Sequence, residues 1–323
     1  MWFIFSLICL FGWGLADIFY KKGSENRADT FSHLKIGVWV GIIMGITAFA
    51  LMPFAESLTA ENFFENLLKY SPASVCYILS MVIGYAGMRY LEISVISPVQ
   101  NASGALSALC MVLYFVIYGK SQSDIFGSLD LLNIIGTAFI VISFISLAFV
   151  EKRLAKKEGE YNLPPEKRKY RFGAAALIFP LLYCVFDTAG TAADGIILSG
   201  ASGLGLGEID VLILYGLTFF AAGVVMWLFM LIKFKKPYNP FALRGEWPKM
   251  SAGICEEAGQ IFYVYAMAQN PVIAAPLIAS YCIVSCLLSR IFLKEKLKIS
   301  QYICIFGVIF GIVILGVAEG ISQ

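Results

Sequence analysis

The stretch Ala266-Met-Ala-Gln-Asn-Pro-Val-Ile-Ala-Ala-Pro-Leu-Ile-Ala-Ser280 has a counterpart earlier in the chain, Met88-Arg-Tyr-Leu-Glu-Ile-Ser-Val-Ile-Ser-Pro-Val-Gln-Asn-Ala102. Setting Pro98 over Pro276 also sets Tyr85 over Tyr263. Asp17 and Asp187 supply a second correspondence, at similar depths in the first and sixth apolar runs. The pattern reads as a duplication, with a proline inside the fourth segment of each copy.

Working outward, the segments on either side are apolar and long. A span needs about 20 mostly apolar residues to cross a hydrocarbon core roughly 30 Å thick. Ten segments meet that test: 2–20, 34–52, 72–91, 94–118, 131–150, 173–191, 209–232, 249–268, 271–293 and 300–317. In lipid the backbone must satisfy its own polar groups, so each is expected to be a helix. Composition agrees, with 59% of the 323 residues hydrophobic and 14% charged. Soluble domains average about 45–50% apolar and about 25% charged. The mean hydropathy of +0.79 points the same way. The first run lacks a basic leader and a small-residue cleavage site, so it reads as a retained helix.

The expected fold is an all-α membrane protein of ten transmembrane helices, arranged as two five-helix repeats at 1–150 and 173–323. The basic stretch 151–172, with Pro164-Pro165, links them. Five spans per copy is an odd number, so the second copy enters the bilayer upside down, as in many secondary transporters. The Gly-rich segment 192–208 is expected to be a flexible loop. Its Gly203, Gly205 and Gly207 do not make the phosphate-binding GxGxxG spacing.

Basic residues give an orientation. Of the 24 Lys and Arg, all but Lys69 and Lys120 fall in the connections after the odd-numbered spans or at their edges. The positive-inside rule then places those connections in the cytoplasm and both termini outside, as in a bacterial inner membrane protein.

Ionisable groups inside a span are costly, at about 2.5–3.5 kcal/mol at a helix centre, and usually face a cavity or a partner. Glu256 and Glu257 lie in the eighth segment, about 100° apart around a helix. One is expected to face a cavity, where it could exchange a proton near neutral pH, and the other to pair with a neighbour. Asp187 is a candidate in the sixth span. Asp17 is another, with Lys21 one turn on as an alternative local partner. Arg89 and Glu92 read as a surface or gating pair. Gln100 and Asn101 follow Pro98 among small residues and can bind a solute or a neighbouring helix. Asn270, Ser280 and Tyr281 occupy the matching region of the second copy. Trp13, Tyr85 and Tyr263 could stack on a substrate.

Other chemistries find little support. The eight cysteines lie in apolar runs without a CxxC pair, so neither a disulfide framework nor a metal site is expected. His33 is the single histidine, and no HExxH, GxSxG or Walker loop occurs. No cofactor is expected, and no basic domain suggests nucleic acid. A membrane-embedded enzyme or a sensor or scaffold subunit is the alternative class.

The residues Ala266-Met267, Pro271, Ala274-Ala275-Pro276-Leu277 and Leu293-Lys294-Glu295-Lys296-Leu297 resemble the repeat signature of the EamA family of the drug/metabolite transporter superfamily. Trp13-Gly14 followed by Lys21 is similar to that family's opening. The resemblance implies a transporter of small metabolites, acting as a monomer or homodimer in the bilayer and coupled, in one reading, to protons. The first copy departs from the signature, ending in Tyr118-Gly119-Lys120 without the acidic turn. Many members are thought to keep both termini in the cytoplasm, whereas the charge count here places them outside. The basic patch after the first span and the basic central loop look more like the superfamily's bacterial sugar permeases, which leaves sugar uptake open.

Overall fold

The computed structural model describes residues 1–24, 29, 31–91, 93–118, 131–157, 178–234, 238–242, 245–293 and 298–322. Among them every regular element is a helix. In the first half α1 is Trp2–Ser24, α2 Ser32–Leu51, α3 Phe63–Gly87, α4 Ile93–Gln100, α5 Ser103–Ile117 and α6 Leu131–Lys157. In the second half α7 is Ile178–Leu198, α8 Glu208–Phe234, α9 Trp247–Gln269, α10 Pro271–Ala279, α11 Tyr281–Leu288 and α12 Ile299–Ser322.

Eight helical segments are long and apolar enough to cross a membrane, counting Ile96–Ile117 and Pro271–Leu293 as one each. Their outer faces carry large apolar side chains, such as Ile232 and Phe306, where a soluble protein would carry charge. The chain is an integral membrane protein. Two expected spans fall outside the eight. The apolar part of α6, Leu131–Leu147, is short. In α9, Lys249, Glu256 and Glu257 lower the hydropathy, yet all three side chains are buried within the protein.

Several expected boundaries are corrected. The third helix begins at Phe63, before Pro72. Pro72 cannot donate to the Leu68 carbonyl; the Ser71 hydroxyl donates to it instead, at 3.0 Å. Helix α6 runs on to Lys157, into the stretch expected to be linker; the remainder of that linker lies outside the described residues. Most consequentially, α7 continues through Leu198, so Ala192–Leu198 is helical and not loop. The turn that follows uses left-handed backbone at Gly200, Gly203 and Gly205, which favours glycine.

The fourth and ninth segments are each two helices rather than one. Pro98 lies inside α4 and Pro276 inside α10, and each removes a helical donor. The second break closes on shorter bonds, with both the amide and the hydroxyl of Ser280 donating to the Leu277 carbonyl, at 3.1 and 2.6 Å. At the first break Gly104 N donates to Asn101 O at 3.2 Å, while Asn101 Nδ2 reaches back to Ser97 O at 2.8 Å. Both prolines of the sequence correspondence thus lie just before a break.

Helix packing has its own regularity. Counting α4–α5 as one segment and α10–α11 as another, the most extensive pairs are α2 with α8, α1 with α9, α6 with α12, α3 with α7, and α4–α5 with α10–α11. These are segments two with seven, one with eight, five with ten, three with six and four with nine. Exchanging each segment of one half for its counterpart in the other returns the same set of pairs. Small residues let the backbones meet. A Cβ on Gly12 would lie 3.1 Å from Gly259 N, and one on Gly41 would lie 3.1 Å from Gly223 Cα.

Two connections are pinned in a related way. The link between α2 and α3 is tied to the start of α8: Asp210 accepts from Glu56 N at 2.9 Å and from the Ser57 hydroxyl at 2.5 Å. The link between α8 and α9 is tied to α2. There Glu246 accepts from Tyr238 at 2.7 Å and from Trp39 at 3.4 Å. Burial, reinforced by the Glu246 carboxylate, pushes the Tyr238 phenol far above its ordinary range, so it remains a donor.

Candidate functional site

A small cavity of about 50 Å³ lies between the two halves. Its wall draws on α1, α3, the α4–α5 and α10–α11 pairs, α7 and α9, with Tyr215 added from α8. Nine of the twelve expected residues line it. The acids are Asp17, Asp187 and Glu256, and the amides are Gln100 and Asn101. The aromatic residues Trp13, Tyr85, Tyr263 and Tyr281 complete the nine.

The other three are placed elsewhere. Glu257 turns towards α2, beside Thr47, as the 100° offset between neighbouring helical residues requires. Asn270 caps α10, its side chain accepting from Ile273 N at 3.4 Å. Ser280 closes the α10 break. These two hold the second broken segment in shape.

Each acid of the cavity is met by hydroxyl groups. Glu256 Oε2 accepts from Tyr20 at 2.5 Å, and Tyr85 donates in turn to Tyr20 at 3.2 Å. Asp17 Oδ2 accepts from Ser97 of α4 at 2.9 Å and from Ser285 of α11 at 2.7 Å. Asp17 therefore bridges the two broken segments. Lys21 puts its ammonium on the Met88 and Leu91 carbonyls, both at 2.7 Å, close to the end of α3. Cations suit a helix C-terminus for this reason. Asp187 Oδ2 accepts from Ser103 at 2.6 Å. The expected Arg89–Glu92 pair involves Glu92, which lies outside the described residues.

Aromatic faces form much of the remaining wall. The Trp13 ring lies 5.3 Å from that of Tyr263 and 5.7 Å from that of Tyr281, while Tyr20 and Tyr85 sit 4.4 Å apart. Trp13 Nε1 donates to the Glu256 backbone carbonyl at 3.2 Å, which fixes the indole against α9. Among the described residues no Lys, Arg or His lines the cavity.

Residues missed by the sequence reading gather at one end. Tyr77 bonds Tyr263 at 2.5 Å and Thr191 at 3.0 Å. Beyond them Asp194 is fully buried and accepts from Tyr70 at 2.9 Å, while its Oδ2 has no partner. Asp194 was hidden because Ala192–Leu198 read as loop. A signal did exist: Asp187 and Asp194 are seven residues apart, as are Tyr70 and Tyr77, a spacing that shares one helix face. Gln100 Nε2 and Gln260 Nε2 are likewise buried without partners on the cavity wall.

No curated protein sequence matches the chain. A crystal structure of a protein with 10% identity aligns over 100% of this chain and 99% of its own, with a TM-score of 0.62, which makes the fold alike and nothing more. Residues 195–317 match the model of the EamA-like transporter family. That range runs from the end of α7 through α12 and contains Glu256, Tyr263 and the α10–α11 break. Over residues 195–317 the second half of this membrane protein is thus similar to an EamA-like transporter domain, a likeness consistent with the drug/metabolite transporter superfamily.

Proposed function

We propose that the protein is a secondary transporter that moves a small solute by alternating access, using ten spans in two inverted five-helix halves. In this reading α6 and α9 complete the eight apolar spans. Helix α9 tolerates its three charged residues because they are buried against other helices instead of facing lipid. The exchange-symmetric packing pairs support two related halves. An odd number of spans in each supports opposite insertion.

One observation carries the reading. The cavity lies between the halves, draws on the broken fourth and ninth segments of both, and has carboxyl groups in its wall. Discontinuous helices meeting at such a site suit a cavity that opens to one side and then the other as the halves rock. Glu256 is the proton-coupling residue of this proposal. It shares the cavity wall with Tyr20, whose hydroxyl donates to it, and with Tyr85, whose hydroxyl donates to Tyr20. The tyrosine can donate to the carboxylate and, after turning, accept from the protonated acid. The basic connections face the cytoplasm and both termini face out.

The test is flux. The full chain is reconstituted in lipid vesicles, a proton gradient is imposed, and a panel of labelled sugars, amines, amino acids and nucleosides is followed. The expected result is gradient-driven movement of one solute class, lost in Glu256→Gln. Absence of flux for every solute in either direction would sink the proposal. A C-terminal reporter active only in the cytoplasm is expected to be silent; activity overturns the orientation.

A further inference from the structure

The charge balance of the cavity points to its solute. Three carboxyl groups stand in the wall, and Asp194 lies behind Tyr77 and Thr191 at one end. Asp17, Asp194 and Glu256 are 3%, 0% and 5% exposed. Tyr20, Tyr70, Ser97, Ser103 and Ser285 donate hydroxyl hydrogen bonds to these acids; hydroxyls are dipoles and do not neutralise a charge. Among the described residues no basic side chain joins them in the lining. A carboxylate buried without a counter-charge is strongly disfavoured, so such groups hold a proton or await a cation.

The rest of the wall separates the solute classes. An anionic solute would meet these acids and no base to offset them. A neutral sugar could hydrogen-bond but would leave the charge uncompensated. An organic cation supplies the missing charge, and it also interacts with aromatic faces, which attract cations through their ring quadrupole. Those faces are present: Trp13, Tyr263 and Tyr281 form one cluster, and Tyr20 and Tyr85 another. The unpartnered amide donors of Gln100 and Gln260 add a demand for a hydrogen-bond acceptor. Buried donors left without partners are costly, so a solute that supplies the acceptor gains affinity.

We infer that the solute is a small organic cation, an amine or quaternary ammonium that also carries a hydrogen-bond acceptor. This rests on the transporter reading above. The acids supply charge recognition, the aromatic clusters supply a surface for the cationic head, and the two glutamines bind the acceptor end.

The experiment uses full-length protein in detergent and compares matched probes by calorimetric titration: choline against neohexyl alcohol, its uncharged carbon isostere, and tyramine against tyrosol, its uncharged alcohol counterpart. Each cation is expected to bind at least about tenfold more tightly than its neutral partner. Asp187→Asn, checked for folding by gel filtration, is expected to erase most of that preference. Equal or tighter binding of the neutral partners, or failure of both cations to bind, overturns the inference. Proton-driven vesicle flux of glucose, with no preference for cations, also overturns it while leaving the transporter reading intact. Failure of all flux removes both.

Discussion

Two regions of this molecule bury acids, and they do so in opposite ways. At the start of α8, Asp210 is completely buried, and its oxygens accept from the amides of Glu56, Ser57 and Gly207 and from the Ser57 hydroxyl. Gly207 precedes the helix and Asp210 is its third residue, so the side chain reaches back to cap the helix entrance. The acid also sits at the positive end of the helix dipole. In the cavity, Glu256, Asp187 and Asp194 instead meet hydroxyl groups, and Asp194 keeps one oxygen without a partner. Apart from the Ser57 hydroxyl the partners of Asp210 are backbone amides, which can only donate. A hydroxyl can turn and accept. Burial alone therefore does not identify a working acid; the reversibility of its partners does.

The comparison can be broken from either side. The largest effect is expected at the latch. Asp210→Ala strands several donors and removes a helix cap, which is expected to cost about 2–4 kcal/mol of stability. Thermal unfolding in detergent is expected to shift down by several degrees, with flux per folded molecule little changed. Flux that collapsed while the thermal midpoint held would place Asp210 in the transport machinery and undo the distinction.

Glu256→Gln should show the converse. The side chain keeps its shape, so the thermal midpoint is expected to hold, while proton-driven uptake falls by about 10–100-fold, the equivalent of one charge-assisted hydrogen bond. Normal uptake with an unchanged pH dependence would remove Glu256 as the coupling residue.

Tyr20→Phe deletes the hydroxyl on Glu256 and keeps the ring against Tyr85. A smaller loss of about three- to tenfold in uptake is expected, in keeping with one ordinary hydrogen bond. The informative readout is the pH profile of uptake. A profile that did not move would make Tyr20 a packing residue.

The smallest effect is expected at Glu257, which points to α2 and away from the cavity wall. Glu257→Gln should leave uptake within about threefold of the parent, since an amide can still bond Thr47. A loss as large as that of Glu256→Gln would show that the two acids act as a unit.

Much of this arrangement was legible in the chain itself. Pro98 and Pro276 marked both broken segments, because proline must disturb a helix wherever it falls in the interior. Most of the expected site residues proved to share one cavity, because acids and amides inside apolar runs have few places to go except inward. The failures were local. Ala192–Leu198 read as loop because a cluster of glycines follows it, and Asp194 was lost with it. Tyr20, Tyr70 and Tyr77 were passed over because tyrosines are common in membrane proteins, and nothing in one sequence separates an interface tyrosine from one bonded to an acid.

By itself the sequence determined the apolar helices, which follow from composition and periodicity along the chain; two related halves and cytoplasmic basic connections are its expectations. Tertiary structure alone decided which acid faces what. Glu256 and Glu257 are neighbours of identical chemistry, yet one lies on Tyr20 in a cavity and the other against α2. Rotation of α9 against α1 and α2 makes that choice, and the close approach of Gly12 to Gly259 fixes how tightly α1 and α9 pack. No local signal encodes it, because the partners are more than 200 residues away along the chain.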